Sequence, residues 1–212
     1  MKTQDEVLNA AAYEIVRYGY AASSLSSISA HLGLTKGALV RRFPTKEDFA
    51  WGIIDTLRRV INEERERSLT AYPRSGICAL TRFLLAIGSR MRTTPQLAAA
   101  VVLFTDRASP AFEVAELFTD WQDALAAFFA IAQREGEIAK TEDIQELAEY
   151  VFITNVGQAV FVARARGPAP SAPRLRFVRR TLKHAGVDNA DQLIDHVLHS
   201  EGASLDEQPT DQ

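Results

Sequence analysis

The chain has 212 residues, with 24 basic and 27 acidic side chains and a formal net charge of −3. This length allows one sizeable hydrophobic core or two smaller ones. Taken on its own, the acidic balance argues against a dedicated nucleic-acid-binding protein. The single cysteine, Cys78, excludes an intramolecular disulfide and fits a reducing compartment.

Three classes of segment are missing from the sequence. Residues 1–6 contain no apolar targeting segment, and no run reaches the eighteen or so apolar residues of a membrane span. No period-2 pattern of useful length indicates a strand. We therefore predict an all-α protein in the cytoplasm, without a membrane partner.

The first predicted helix covers residues 3–18. Its apolar positions recur at helical spacing, and Gly19 stands where a left-handed residue ends a helix. The buried positions are Leu8, Ala11, Ala12 and Ile15.

A helix-turn-helix is predicted next. Ser24 caps a short helix with an apolar stripe, Gly33 forms the turn, and Thr35 caps a second short helix. The apolar stripe consists of Leu25, Ile28 and Leu32. In the second helix, Ala38 and Leu39 are expected to face inward, and the outward positions are Lys36, Gly37, Val40 and Arg41. Small residues at its start allow the backbone to approach base edges in a major groove.

Charge is concentrated around this motif. No acidic residue lies between Glu14 and Glu47, whereas five basic residues do: Arg17, Lys36, Arg41, Arg42 and Lys46. A local basic patch on an acidic protein is typical of phosphate contact, although charge alone also fits an ordinary solvated surface. The turn pattern favours the phosphate interpretation.

Residues 18–25, 28–39 and 43–48 together resemble the DNA-binding domain of the tetracycline-repressor (TetR) family. The match covers about the first 55 residues, and its caps, turn glycine and Phe43-Pro44-Thr45-Lys46-Glu47 exit are in register. The family usually has a DNA-contacting tyrosine where this chain has Val40. The motif and the resemblance together predict these DNA-binding residues: Ser24, Thr35, Lys36, Gly37, Ala38, Val40, Arg41, Arg42 and Lys46.

The next helix is predicted from Lys46 to Tyr72, with a capping box formed by Thr45 and Asp48. Its first two thirds carry an inward stripe of Phe49, Ile53, Ile54, Leu57, Val60 and Ile61. The charged run 63–67, which includes the paired acids Glu63 and Glu64, is expected to be solvated surface.

Four further helical patterns follow. One carries Ile77, Leu80, Leu84, Ile87 and Met91, with Phe83 beside the stripe; Cys78 is expected to be buried filler. Thr94-Pro95 starts a short helix to Phe104, and Ser109-Pro110 starts another that ends near Gly136. The latter has an aromatic face of Val114, Leu117, Phe118, Trp121, Leu125, Phe128 and Ala132. Residues 144–164 form the next, with Asn155 on or beside its apolar stripe.

A proline loop over residues 167–173 precedes two last helices, at about 174–184 and 190–199. The predicted domains are 1–50 for DNA binding, 51–200 for ligand binding and dimerisation, and a disordered tail at 201–212.

The helical body is wide enough to enclose an apolar ligand site. Buried Trp121 and Asn155 need a hydrogen-bond partner from protein, water or ligand. The remaining candidate lining residues are Phe83, Met91, Phe104, Phe128 and Phe152, each of which core packing also explains. No metal site or cofactor is predicted, because His196 and His199 alone make a poor metal site.

The order of motifs between residues 94 and 158 is similar to the γ-butyrolactone-receptor branch of the TetR family. This resemblance implies a lactone- or furan-like effector that contacts Trp121. The family also implies a homodimer through residues 144–164 and 174–184, on a palindromic operator, and an exposed Phe161 fits such an interface.

The sequence therefore predicts an effector-released repressor. Two alternatives stay open: a multidrug-type sensor of apolar cations, and a DNA-binding regulator without ligand response. An enzyme is not expected, since the acids lie in charged runs and no catalytic triad or phosphate-binding loop is present.

Overall fold

The computed structural model of the chain describes residues 2–110, 114–164 and 171–202. These residues form ten helices and no strand, which confirms the predicted all-α class. No helix within these ranges is both long enough and apolar enough to cross a membrane. In chain order the helices are α1 (Gln4–Tyr18), α2 (Leu25–Leu32), α3 (Lys36–Val40), α4 (Lys46–Ala71), α5 (Gly76–Thr93), α6 (Pro95–Thr105), α7 (Val114–Arg134), α8 (Ile144–Arg164), α9 (Ser171–His184) and α10 (Ala190–Glu201).

The first three helices and the start of α4 form a small N-terminal unit, residues 2–50, which we call the head. Local sequence sets its helix ends. The Thr3 hydroxyl accepts from the Glu6 amide and the Ser24 hydroxyl from the Ser27 amide, each within a reciprocal capping box. Gly33 ends α2 in the left-handed region at φ 65°, as predicted.

Helix α4 leaves the head and continues into the body, residues 51–202. Its 26 residues give it a length of about 39 Å. All six apolar positions that the sequence placed inward are buried. Position 52 is a glycine against the Leu8 side chain, and a Cβ there would lie 2.9 Å from Leu8 Cδ2. One helix therefore contributes to the packing of both units.

The charged run in α4 is not uniformly solvated, contrary to the prediction. Glu64 is only 3% exposed, and its carboxylate pairs with Arg67 at 2.8 Å and with Arg82 at 3.3 Å. Arg82 also pairs with Glu201 at 2.9 Å. A buried carboxylate is tolerated only when it is paired in this way, and the pairs tie α4, α5 and α10 together.

Helix α5 lies at the centre of the body. Twelve of its eighteen residues are buried, and it contacts α4, α6, α7, α9 and α10. Its start approaches α7 closely, because a Cβ on Gly76 would lie 2.1 Å from the Phe128 carbonyl oxygen and 2.4 Å from the Ala132 nitrogen. Glu137 accepts from the Ile77 amide at 3.1 Å and from the Ser75 hydroxyl. Cys78 is buried, as predicted, and burial raises the pKa of its thiol.

The last two helices differ in detail from the prediction. Helix α9 begins at Ser171 rather than near Arg174, because Pro173 falls in the first turn, where its missing N–H costs no helical hydrogen bond. Glu201, which the sequence reading assigned to the tail, is the last residue of α10. The rest of the predicted tail, from residue 203 on, and most of the predicted proline loop lie outside the described residues.

Replacing Gly76 by alanine is expected to lower the free energy of unfolding by about 2 kcal/mol, because backbone atoms of α7 occupy the space of the new methyl group. Gly37→Ala is the matched control, since nothing lies within 4 Å of its added Cβ and alanine favours a helix. Urea unfolding measures both variants. A Gly76→Ala protein as stable as the wild type contradicts the close approach of α5 to α7.

Candidate DNA interface and effector site

Helix α3 is held in place by its cap and by one buried side chain. The Thr35 hydroxyl accepts from the Ala38 amide at 3.2 Å, and Leu39 is almost fully buried in the head core. The chain turns into α3 directly after Gly33 and half-buried Leu34. The remaining surface of this short helix is available for contact with a second molecule.

The outer surface of α3 is wider than the sequence predicted. Ala38, which the pattern placed inward, is exposed together with Lys36 and Gly37, because a five-residue helix anchored by Leu39 has room for only one buried position. Nothing lies within 4 Å of a Cβ built on Gly37. Val40 is half-buried. The start of α3 thus presents small side chains and accessible backbone.

The four predicted cations of this region divide into two pairs. Lys36 and Arg41 are exposed, and the described residues give neither a hydrogen-bond nor an ion-pair partner. Arg42 instead donates to the Lys2 carbonyl at 3.2 Å and to Gln4 Oε1 at 3.4 Å at the start of α1. Arg42 therefore helps to hold α1 against the end of α3.

Lys46 faces the loop between α1 and α2. Its ammonium donates to the Tyr20 carbonyl at 2.8 Å and to the Ala21 carbonyl at 3.3 Å, and lies 4.2 Å from the centre of the Tyr20 ring. These contacts give Lys46 a structural task that its sequence position did not reveal. Its predicted DNA contact remains a prediction.

A body residue that the sequence reading did not single out also reaches this loop. The Tyr20 N–H donates to Asp106 Oδ2 at 2.8 Å, across 86 residues of sequence. Asp106 directly follows α6, and no local pattern in the sequence indicates that it contacts the head.

In the body, four aromatic rings from three helices form a chain of contacts. Phe104 of α6 lies edge-on to Phe118 of α7 with centroids 5.5 Å apart, and Phe118 lies 4.9 Å from Phe152 of α8. Phe152 meets Trp121 edge-on at 5.5 Å. The structure thus brings together three predicted lining residues and adds Phe118, which belonged to the predicted aromatic face but not to the predicted site.

The other predicted lining aromatics belong to a separate pair. Phe83 of α5 and Phe128 of α7 lie 5.4 Å apart, and both are fully buried. Met91 is half-buried near the end of α5. For Phe83 and Phe128, core packing accounts for everything that the structure shows.

Buried polar atoms without partners accompany the aromatic chain. Trp121 is 7% exposed, and its Nε1 has no hydrogen-bond acceptor among the described residues. Asn155, one helical turn after Phe152, has a buried and equally unpaired Nδ2. Gln96 at the start of α6 has an unpaired Oε1, which the sequence analysis missed. Such groups are costly to bury unless water or a ligand satisfies them.

One face of α8 is apolar and exposed. Ile153 is 57% exposed and Phe161 is 73% exposed, with Gly157 midway between them. These three positions are spaced four residues apart and so follow one side of the helix. Tyr150 lies on the same side and stacks on His184 of α9 at 3.9 Å. Large exposed apolar side chains in such a row are typical of a protein interface.

The comparisons with known proteins agree with this geometry. Residues 7–50 match the family model for bacterial regulatory proteins of the tetR family. A solved γ-butyrolactone receptor, an ArpA-like protein, superimposes with a TM-score of 0.77 and 24% identity, over 93% of this chain and 96% of that one. CprB from Streptomyces coelicolor in complex with its biological operator sequence gives a TM-score of 0.69 and 23% identity, over 96% of both chains.

A complex of SmeT with triclosan is also similar, with a TM-score of 0.62 and 18% identity over 92% of this chain and 89% of that one. No curated protein matches the sequence. At these identities the solved structures establish the fold.

A capped turn, a short exposed helix and free cations on an all-α scaffold define a helix-turn-helix DNA-binding protein. Residues 7–50 thus match the DNA-binding domain of bacterial regulatory proteins of the tetR family, and the chain as a whole shares the fold of the solved regulators.

The test uses a DNA duplex that the purified wild-type protein retains from genomic fragments. Lys36→Ala and Arg41→Ala are each expected to weaken binding to this duplex, because each removes one free cation. Each is also expected to reduce the slope of log affinity against log salt concentration by about one. Arg74→Ala and Lys140→Ala are the matched controls, since both side chains are exposed outside the head. Fluorescence anisotropy across a salt series measures the slope. Unchanged slopes for both head variants contradict the assignment of α3 to the DNA.

Proposed function

We propose that the chain represses transcription as a homodimer on a palindromic operator, and that a small, largely apolar effector such as a lactone or furan releases it. The observation that carries the effector proposal is the pair of buried, unpaired N–H donors on Trp121 and Asn155 beside the aromatic chain. The domain of residues 1–50 binds DNA, and the domain of residues 51–200 binds the effector and the second subunit.

On the DNA side, the exposed start of α3 enters the major groove. Lys36 and Arg41 contact phosphates, while Gly37 and Ala38 allow close approach to base edges. Ser24 and Thr35 stand at helix starts, where hydroxyls and backbone amides suit phosphate oxygens. Val40 is half-buried and short, and it therefore offers less surface for DNA contact than the tyrosine that the family usually has at this position. Arg42 and Lys46 add positive charge to this surface while bracing the head.

The polar atoms of the site favour a particular effector chemistry. Trp121 Nε1 and Asn155 Nδ2 are both donors, and their natural partners are carbonyl, ether or hydroxyl oxygens of a ligand that is otherwise apolar. The aromatic edges of Phe104, Phe118 and Phe152 supply apolar contact. γ-Butyrolactone receptors with the same fold are consistent with this class of effector.

A sensor of apolar cations needs an acid directed into its site. Two acids on α7, Asp120 and Asp123, are exposed, and Asp120 is paired with Arg58 of α4 at 3.9 Å. Trp121 Nε1 and Asn155 Nδ2 are hydrogen-bond donors, so a cation placed against either of them is not stabilised. These observations favour an oxygen-bearing neutral effector over the cation alternative.

The second subunit covers the exposed face of α8. Ile153, Gly157 and Phe161 form an apolar strip, and self-complementary burial around a two-fold axis removes it from water. Two heads related by that axis meet successive major grooves of a palindrome. Effector binding and DNA binding then weaken each other by the same coupling free energy. A coupling of about 3 kcal/mol lowers operator affinity more than a hundredfold.

Trp121→Phe is expected to reduce effector affinity about tenfold or more while operator affinity stays unchanged, because an aromatic ring remains whereas the N–H donor is lost with the five-membered ring. An acyl-substituted γ-butyrolactone, an alkyl furan and a cationic dye are each titrated into the complex of the protein with a fluorescent operator. The fraction of operator released is measured. Phe83→Leu, in the separate aromatic pair, is the control for a general loss of packing. Release by the dye alone supports the cation alternative, and release by none contradicts effector control by these classes.

Phe161→Asp is expected to shift the protein from dimer to monomer in sedimentation velocity, because a carboxylate in a paired apolar strip is desolvated without a partner. Val16→Asp changes an exposed apolar residue on α1 and is expected to leave the mass at two chains. A Phe161→Asp protein that stays dimeric contradicts the assignment of the interface to this face of α8.

A further inference from the structure

We propose that Asp106 is the positioning residue that transmits changes in the body to the DNA-binding head, by holding the loop between α1 and α2. This inference rests on the proposed function, in which a body site controls the head. It assigns the transmission to one carboxylate at the end of α6, in addition to the continuous helix α4.

The carboxylate divides its two oxygens between head and body. Oδ2 accepts from the Tyr20 N–H in the head at 2.8 Å, and Oδ1 accepts from the Ala108 N–H in the segment after α6 at 3.0 Å. These contacts favour the charged form: the Ala108 amide, then the amides of Tyr20 and Ala21 and the nearby Lys46 ammonium, hold the pKa of Asp106 below its ordinary value. One side chain therefore links two parts of the chain that are distant in sequence.

The loop that Asp106 holds is fixed from the opposite side by the head itself. The Tyr20 carbonyl accepts from Lys46 at 2.8 Å and from the buried Ser23 hydroxyl at 2.7 Å. The donor and acceptor of the same residue are thus engaged by the body and by the head respectively. A displacement of α6 relative to α4 must stretch one set of these contacts, and charged hydrogen bonds resist such stretching.

Gly19 sets the backbone conformation at this contact through its positive φ. Its φ of 83° is a conformation that side-chain-bearing residues rarely adopt, and a Cβ there would lie 3.4 Å from Asp106 Oδ2. The held loop leads directly to Ser24, the cap of α2, and so to the helix-turn-helix. Its position sets where α2 and α3 begin.

On the other side, Asp106 is close to the proposed effector site along the chain. It directly follows α6, whose Phe104 begins the aromatic chain to Phe118, Phe152 and Trp121. An occupant that moves these rings displaces the end of α6, and Asp106 passes the displacement to Tyr20. The contact between α1 and α6 gives the two units a shared surface over which this occurs.

The test uses the full-length protein and a duplex recovered from genomic DNA by the wild type, because coupling between two sites is reciprocal. Hydrogen–deuterium exchange is measured with and without saturating duplex. In the wild type, the duplex is expected to change exchange in residues 95–110 and 118–134 by about threefold or more. In Asp106→Asn, which has one acceptor oxygen in place of two, the change is expected to stay within the head.

Two further readouts separate transmission from stability. Exchange of the Tyr20 amide in the free protein is expected to rise about tenfold in Asp106→Asn, because its charged acceptor is lost. Asp195→Asn, an exposed acid on α10, is the matched control and is expected to behave as the wild type. If the role of Asp106 is only structural, Asp106→Asn lowers the midpoint of unfolding but leaves the change in exchange of residues 118–134 on duplex binding as in the wild type. That outcome contradicts the inference.

The outcomes are distinguishable. A response in Asp106→Asn equal to that of the wild type, or a wild-type response confined to the head, overturns the inference while leaving DNA binding intact. A wild type that retains no duplex overturns the proposed function together with the inference.

Discussion

The structure depends on one continuous helix, α4, that packs into both the head and the body. The first turns of α4 pack into the head, with Phe49 and Ile53 fully buried, and its later turns pack against α5 and α6 with Leu57, Val60 and Ile61. A helix kinks mainly at proline, at Gly/Ser pairs or where a group is inserted into its hydrogen bonds, and the one glycine of α4, Gly52, is packed against Leu8. The head is therefore oriented by whatever fixes the far half of α4.

The far half is fixed by buried charge as much as by apolar packing. Glu64 is held by Arg67 and Arg82, and Arg82 also holds Glu201 at the end of α10. Breaking one member of such a group leaves an uncompensated buried charge, which costs several kcal/mol. These ion pairs therefore resist a displacement of α4 relative to α5 and α10.

Much of the fold was predictable because local signals agree with tertiary packing in this chain. The caps at Ser24, Thr35 and Thr45 and the turn at Gly33 are dictated by backbone groups that a neighbouring side chain must satisfy. The prediction was wrong where a short helix or a long-range partner decided the outcome. Ala38 is exposed because Leu39 alone anchors α3, and Glu64 is buried because Arg82, eighteen residues away, neutralises it.

The candidate sites were predictable to different degrees. The proposed DNA surface is contiguous in sequence, so periodicity and charge were enough to propose it, although they gave no sign that Arg42 and Lys46 also brace the head. The proposed effector site joins α6, α7 and α8, and composition alone did not separate Phe152, in the aromatic chain, from Phe83, in the core. The contact of Asp106 with Tyr20 depends on tertiary structure and has no counterpart in local pattern.

We propose that two copies of α3 read one palindromic duplex. The most direct measurement is the stoichiometry and affinity of the protein on a duplex that it retains, compared with the same duplex after one half-site is scrambled. We expect two chains on the intact duplex and an affinity loss of about a hundredfold or more on the scrambled one, because one short helix contacts few bases. One chain on each duplex with equal affinity contradicts the account.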